Sequence, residues 1–185
     1  MRAGQSVLIT GASGGMGTAA IQVARLVGAT KIFASTGSPA KLERLKQLGV
    51  DHVVDYRDAG APDQIKSMTN GTGVDLVMDF VGGDMFVFGL KCLRMAGTIV
   101  LVAGEEAESS IKMRMLTIML LHRHVNILGV RGAKRIDNKI VLELLGEGKI
   151  DPVIDQVLPL SEAVKAHEIM ENRQQVGKVV LVPYP

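Results

Sequence analysis

The chain has 185 residues, the length of one domain with room for an appendage. Its 21 Lys and Arg against 19 Asp and Glu leave a net charge of only +2, which excludes the broad basic field that nucleic acid or an anionic membrane requires. A single cysteine, Cys92, excludes an internal disulfide and a multi-thiolate zinc site; with no apolar run of membrane-spanning length and no leader in Met1–Ser6, a soluble, cytoplasmic protein is expected.

Short β-rich runs alternate with segments of helical period along the chain, the pattern of a parallel sheet with helices on both faces. Six strands are expected, at Ser6–Thr10, Lys31–Ser35, His52–Asp55, Val74–Phe80, Gly97–Val102 and Val125–Val130, each apolar because a central parallel strand is buried on both sides. Met16, Ala19, Ala20, Val23, Ala24 and Val27 recur at i, i+3, i+4 and i+7, which predicts an amphipathic helix from Gly15 to Val27 ending at Gly28. A second helix opens with Ser38 as N-cap and Pro39 in its first turn, and stops at Gly49. Ile111 to Leu121 is apolar all round, so it is either a fully buried core helix or one whose outer side expects a partner beyond the sheet. After Gly148 a loop with Pro152 and Pro159 leads to a helix at Ser161–Glu171 and a strand at Lys178–Val182. The fold expected is α/β: a Rossmann-type, doubly wound, six-stranded parallel sheet over residues 1–148 and a C-terminal helix-strand appendage over 149–185.

The segment VLITGASGGMGTAAIQVA, Val7 to Ala24, carries the most chemistry, because a buried strand runs through glycines directly into an amphipathic helix. A dinucleotide diphosphate needs a tight turn, a bare backbone and a helix N-terminus whose free N–H groups face the anion. Gly11 supplies the turn, Gly14 and Gly15 the close approach and Gly17 the packing of helix on strand, while Thr10 and Ser13 add hydroxyls. Strand, turn, helix and second strand fall within about thirty residues, the context that separates a nucleotide cradle from a purely structural turn. The end of the second strand reads ASTGSPAK, without the Asp or Glu that usually holds the ribose of NAD. Ser35, Thr36 and Ser38 are donors there and Lys41 adds a positive charge, so the pattern leans to the 2′-phosphate of NADP, each charge-assisted bond contributing about 1.5 to 3 kcal/mol. The other reading makes Ser38 only a cap and Lys41 only a solvated helix residue.

TGASGGMG also fits the short-chain dehydrogenase pattern, but those enzymes need a Lys four residues after a Tyr; Tyr56 is followed there by Gly60, and Tyr184 has no residue at that distance. Over its full length the chain instead resembles the cofactor-binding half of the medium-chain dehydrogenase/reductase superfamily, which holds the zinc alcohol dehydrogenases and the quinone oxidoreductases. The resemblance runs through GASGGMG, Gly37–Asp58, GVDLVMDFVGG at Gly73–Gly83, GTIVLVAG at Gly97–Gly104 and the closing HEIMENRQQVGKVVLV. It implies that Gly37, Lys41 and Tyr56 surround an adenosine 2′-phosphate and that Gly14, Gly15 and Met16 touch the diphosphate. Val81, Gly82, Ala103 and Gly104 would approach the nicotinamide ribose, and strand Val125–Val130 would pair with its copy in a homodimer.

The resemblance further implies an oxidoreductase moving hydride between NADP, or less readily NAD, and a carbonyl or conjugated alkene. A complete member carries a catalytic domain that these residues do not supply, so the isolated chain is expected to be inactive, with no catalytic residue assigned. The alternatives are a non-catalytic NADPH-binding or dimerisation module acting as a redox sensor, and a fragment of an NAD-dependent zinc alcohol dehydrogenase. His122 and His124 stand at i, i+2 without a thiolate or clustered carboxylate nearby, so no zinc is expected on this chain. Asp79 is read as a backbone-bonding residue near the cofactor cleft, and Cys92 as a small core residue of a helix.

Overall fold

The computed structural model describes residues 1–104 and 111–183; Tyr184, weighed above in the short-chain pattern, lies outside them. Six parallel strands form one sheet in the order β3-β2-β1-β4-β5-β6: β1 Ser6–Thr10, β2 Lys31–Thr36, β3 His52–Asp55, β4 Val74–Asp79, β5 Leu93–Leu101 and β6 Asn126–Gly129. The connecting helices are α1 Gly15–Leu26, α2 Pro39–Gln47, α3 Ala61–Met68, α4 Asp84–Cys92 and α5 Met113–Arg123, followed by α6 Arg135–Gly146. The chain builds outward from β1 to β3 and then returns to the other side of β1, so the direction of winding reverses between β1 and β4. In open α/β sheets ligands bind outside the carboxyl ends of the strands at that reversal.

Residues alternate faces along each strand, and this sorts the core into two layers. Val7, Ile9, Ile32, Ala34 and Leu76 point to one face, where Ile21 and Ala24 of α1 and Leu45 of α2 cover them. Leu8, Phe33, Val54, Val77 and Ile99 point to the other, against Ile65 of α3 and Phe88 and Leu90 of α4. Cys92 closes α4 inside this second layer, as its sequence context indicates.

Several boundaries differ from expectation. β5 starts at Leu93, ahead of Gly97, because the chain passes from α4 straight into the strand and resumes register after a shift between the Val74 and Leu76 pairings. β6 is shorter than Val125–Val130: Val125 is buried beneath it and Val130 continues past its end. The fully buried alternative for Ile111–Leu121 is excluded. Ile111, Leu116 and Met119 rest on the core, whereas Met113, Ile118, Leu120 and Leu121 of α5 are exposed.

The appendage contains a strand that the sequence conceals. β7 Ile154–Pro159 pairs in parallel with β8 Lys178–Val182, and α7 Ala163–Glu171 bridges them after a short 3₁₀ turn at Leu160–Glu162. Leu158, Ala166 and Ile169 form a small core of their own. Far from being peripheral, this unit returns to the first turn of the chain: Gly177 N–H donates to Ser13 O at 2.9 Å, and Gln22 exchanges two 2.7 Å bonds with the backbone of Asp151. Among the described residues no helix is long and apolar enough to cross a membrane.

Candidate dinucleotide site

The glycine turn lies at the carboxyl end of β1, on the winding reversal. Gly11 takes φ +61°, a left-handed conformation in which a Cβ would also press on Val81 Cγ2 at 3.0 Å. Gly14 is the N-cap of α1 and makes no side-chain cap bond; the first bond of the helix runs from Thr18 N–H to Gly14 O at 2.9 Å. The N–H groups of Gly15, Met16 and Gly17 precede that bond and therefore have no partner within the helix. Gly17 is the packing position: a Cβ there would meet Gly11 O at 2.3 Å and Ala12 Cα at 2.6 Å. Met16 is about half exposed at the mouth of the turn, and Ser13 gives its carbonyl to Gly177.

Sequence reading passes over Lys178. Its aliphatic stem lies across Gly15, where a Cβ would sit 2.8 Å from both its Cγ and its Nζ. No acidic residue occupies the first turn of α1, so the positive end of the helix and a lysine ammonium converge with no anion between them. That juxtaposition favours a negative group.

Thr10 and Asp79 meet across β1 and β4. Thr10 Oγ1 donates to Asp79 Oδ1 at 2.5 Å, and the same oxygen accepts from Val81 N–H at 3.0 Å and Gly82 N–H at 3.2 Å. The expectation that Asp79 serves the backbone beside the cleft thus agrees with its geometry. The loop it holds packs on its neighbour: a Cβ on Gly82 would lie 2.6 Å from Gly104 Cα. Gly82, Gly83, Phe86, Ala103, Gly104 and Val130 line an open cleft of about 480 Å³ at the ends of β4, β5 and β6. Val81 stands exposed at the side of the loop facing Gly11.

At the end of β2 the residues assigned to the adenosine phosphate separate into two groups. Gly37 and Tyr56 are in contact, since a Cβ on Gly37 would fall 2.8 Å from Tyr56 Oη. Ser35 is enclosed within β2 and its hydroxyl finds no partner among the described residues. Thr36 Oγ1 accepts from Ser38 N–H at 3.1 Å; Ser38 occupies the N-cap of α2 yet makes no side-chain cap bond. Lys41 Nζ donates to Gln175 O at 2.8 Å, so the cation is held by the appendage. Partial burial pulls its pKa below the ordinary lysine value; Asp155 works against the shift and the nearby Arg173 adds to it. Arg173, also missed in sequence, brings a second positive charge to this corner, while Asp155 is engaged by Arg44 at 2.5 Å.

His122 and His124 are exposed at the end of α5, and among the described residues no three His, Cys, Asp or Glu side chains converge as a ligand set.

Comparison with known proteins agrees with this geometry. The family model described as zinc-binding dehydrogenase matches residues 15–147. A phthioceranic/hydroxyphthioceranic acid synthase of Mycobacterium bovis is 34% identical over 187 residues, covering 98% of this chain and 9% of the synthase. The synaptic vesicle membrane protein VAT-1 homolog of Mus musculus is 32% identical over 206 residues, covering all of this chain but 50% of that protein. Among solved structures, an NAD-dependent alcohol dehydrogenase superposes with a TM-score of 0.88 at 35% identity over 97% of this chain and 51% of its own. The CurK enoyl reductase gives 0.79 at 27% identity over 100% and 56%. The chain therefore spans about half or less of these relatives. It belongs to the zinc-binding dehydrogenase family, and corresponds to the Rossmann-type, cofactor-binding domain of medium-chain oxidoreductases.

Proposed function

We propose that this chain binds NADP(H) for an oxidoreductase that moves hydride to or from a carbonyl or conjugated alkene, with the substrate held mainly by residues outside the chain. The observation that carries the reading is the cradle at Gly14, Gly15 and Gly17, where helix N–H groups without partners inside α1 and Lys178 converge beside the glycine turn. Thr10, Gly11, Ser13 and Met16 frame that space. Val81, Gly82, Ala103 and Gly104 border the neighbouring cleft, where a bound nicotinamide would supply or accept the hydride. The chain's own part is to bind, orient and shield the cofactor; none of its described residues is assigned a proton-transfer step.

The preference for NADP rests on the corner formed by Gly37, Tyr56, Lys41 and Arg173. No carboxylate of β2 stands there to repel a phosphate, and Lys41 and Arg173 bring two positive charges to the corner, with Asp155, which offsets them, engaged by Arg44. Ser35 has little part in this, being buried; Ser38 remains at the rim. NAD is the second reading, favoured by the bond that already engages Lys41 with Gln175 O. Calorimetric titration with NADPH and NADH, on the wild type and Lys41→Ala, decides between them. The NADP reading expects Lys41→Ala to weaken NADPH by roughly ten-fold or more and NADH hardly at all; equal losses remove the phosphate role. A chain that binds NADPH, yet turns over no quinone, enone or alcohol when joined to a catalytic domain, would instead be a redox-sensing module.

Two further parts of the reading are a homodimer and a reducing, cytoplasmic setting. β6 is an edge strand with Leu128 exposed on it and Val130 exposed just past its end, and pairing with a second copy would cover both. The free cysteine, buried in the core, suits a compartment where thiols stay reduced.

A further inference from the structure

We infer that Asp79 is a positioning residue for the nicotinamide half of the dinucleotide, acting through the Val81–Gly82 backbone. The inference rests on the cofactor reading above and adds to it a residue that touches no part of the cofactor itself. Asp79 is fully buried, yet its hydrogen bonds link three separate segments. Oδ1 gathers Thr10 Oγ1 from the end of β1 with the N–H groups of Val81 and Gly82, and the main-chain carbonyl accepts from Val102 N–H at 3.0 Å after β5. All three segments border the cleft or the glycine turn.

The loop that Asp79 holds is one that only glycine can form. Gly82 and Gly83 take φ +76° and +56°, and Gly82 lies so close to Gly104 that neither position has room for a side chain. A carboxylate fixes such a loop better than a neutral acceptor, since bonds to a charged oxygen are roughly twice as strong as neutral ones. The second oxygen, Oδ2, is buried and has no partner among the described residues. An acid retained with one oxygen unsatisfied is poorly explained by stability, because desolvation without a partner works against folding. Its geometry serves the loop instead.

The test separates the two halves of the ligand. Binding of the preferred dinucleotide, NADP⁺ or NAD⁺, and of its adenosine fragment, adenosine 2′,5′-bisphosphate or ADP, is measured by calorimetry for wild type, Asp79→Ala and Asp79→Asn, with thermal unfolding alongside. Asp79→Ala is expected to weaken the dinucleotide about ten-fold or more while leaving the fragment within about two-fold. Asp79→Asn, which preserves volume and one accepting oxygen, is expected to show the same split at a smaller size, and it decides the matter should Asp79→Ala fail to fold. Parallel losses for both ligands, or no loss for either, would overturn the inference and leave the cofactor reading intact. A wild type that binds neither ligand removes both.

Discussion

Replacing Gly17 by alanine tests whether the cradle is built by close packing or merely permits it. In an ordinary helix the change is favourable, by about 1 kcal/mol of helix propensity. Here the added methyl would lie 2.3 Å from Gly11 O and within 2.7 Å of two backbone atoms of Ala12, about 1 Å short of the 3.4 Å at which ordinary contact begins. Those atoms are main chain and cannot rotate away, so α1 must slide off the end of β1. Overpacking of this kind costs about 1 to 3 kcal/mol, and rigid neighbours place it at or above the upper end. After the propensity gain, the net loss is about 2 kcal/mol or more, a fall in Tm of at least roughly 4 to 8 °C for a domain of this size. Urea unfolding with an unchanged m-value is the assay, and dinucleotide titration should show weaker binding as the cradle spreads. Gly146→Ala is the control: it is also helical, in α6, with nothing within 4 Å of an added Cβ, and it should be neutral or slightly stabilising. Gly17→Ala as stable as Gly146→Ala, with binding intact, would refute the packing account.

Other perturbations address charge, reactivity and assembly. At Asp75, burial opposes ionisation but is outweighed by the bonds from Ser6 and Arg94, so its pKa lies below the usual carboxylate value. A depressed folded pKa contributes stability that is present above about pH 4 and disappears as pH falls through the folded value. The urea midpoint should therefore drop on acidification, and less steeply in Asp75→Asn; identical slopes would remove Asp75 as a cause. Burial pushes the Cys92 thiol up to about 12, with Lys66 and Lys91 pulling only weakly the other way. An aromatic disulfide reagent at pH 8 should leave the native chain unmodified and label it fully in denaturant, whereas prompt native labelling would contradict the buried placement. Leu128→Lys, which sets a charge on the exposed edge of β6, should convert a sedimenting dimer to monomer; a monomeric wild type would end the dimer reading.

The parts of this molecule that are legible in sequence are those whose signal is local. β1, with α1 after it, reads correctly because Val7 to Ile9 are all buried and the glycines sit at the junction itself. β7 does not, because Asp155, Gln156 and Pro159 break its apolar pattern and, among the described residues, it pairs with β8 alone. Apolar residues on every side of α5 mark a buried helix in most chains; here they lie on the outside of the sheet, and no local pattern distinguishes the two cases. Lys178, Arg173 and Gln175 reach the first two βα units from more than 130 positions away. Only the return of the chain, through the Gly177 to Ser13 bond, brings them there.

That return also sets a sequence in time. In chain order the six strands of the sheet precede the residues around 177, so the cradle proposed for a diphosphate lacks one wall until those residues have been made. Gly177 is packed so closely within its own unit that a Cβ would stand 2.1 Å from Val153 O, while its N–H reaches across to Ser13 O. A chain halted before residue 177 would thus present the six-stranded sheet with the proposed cradle unfinished, and capture of a dinucleotide would report that β8 has docked.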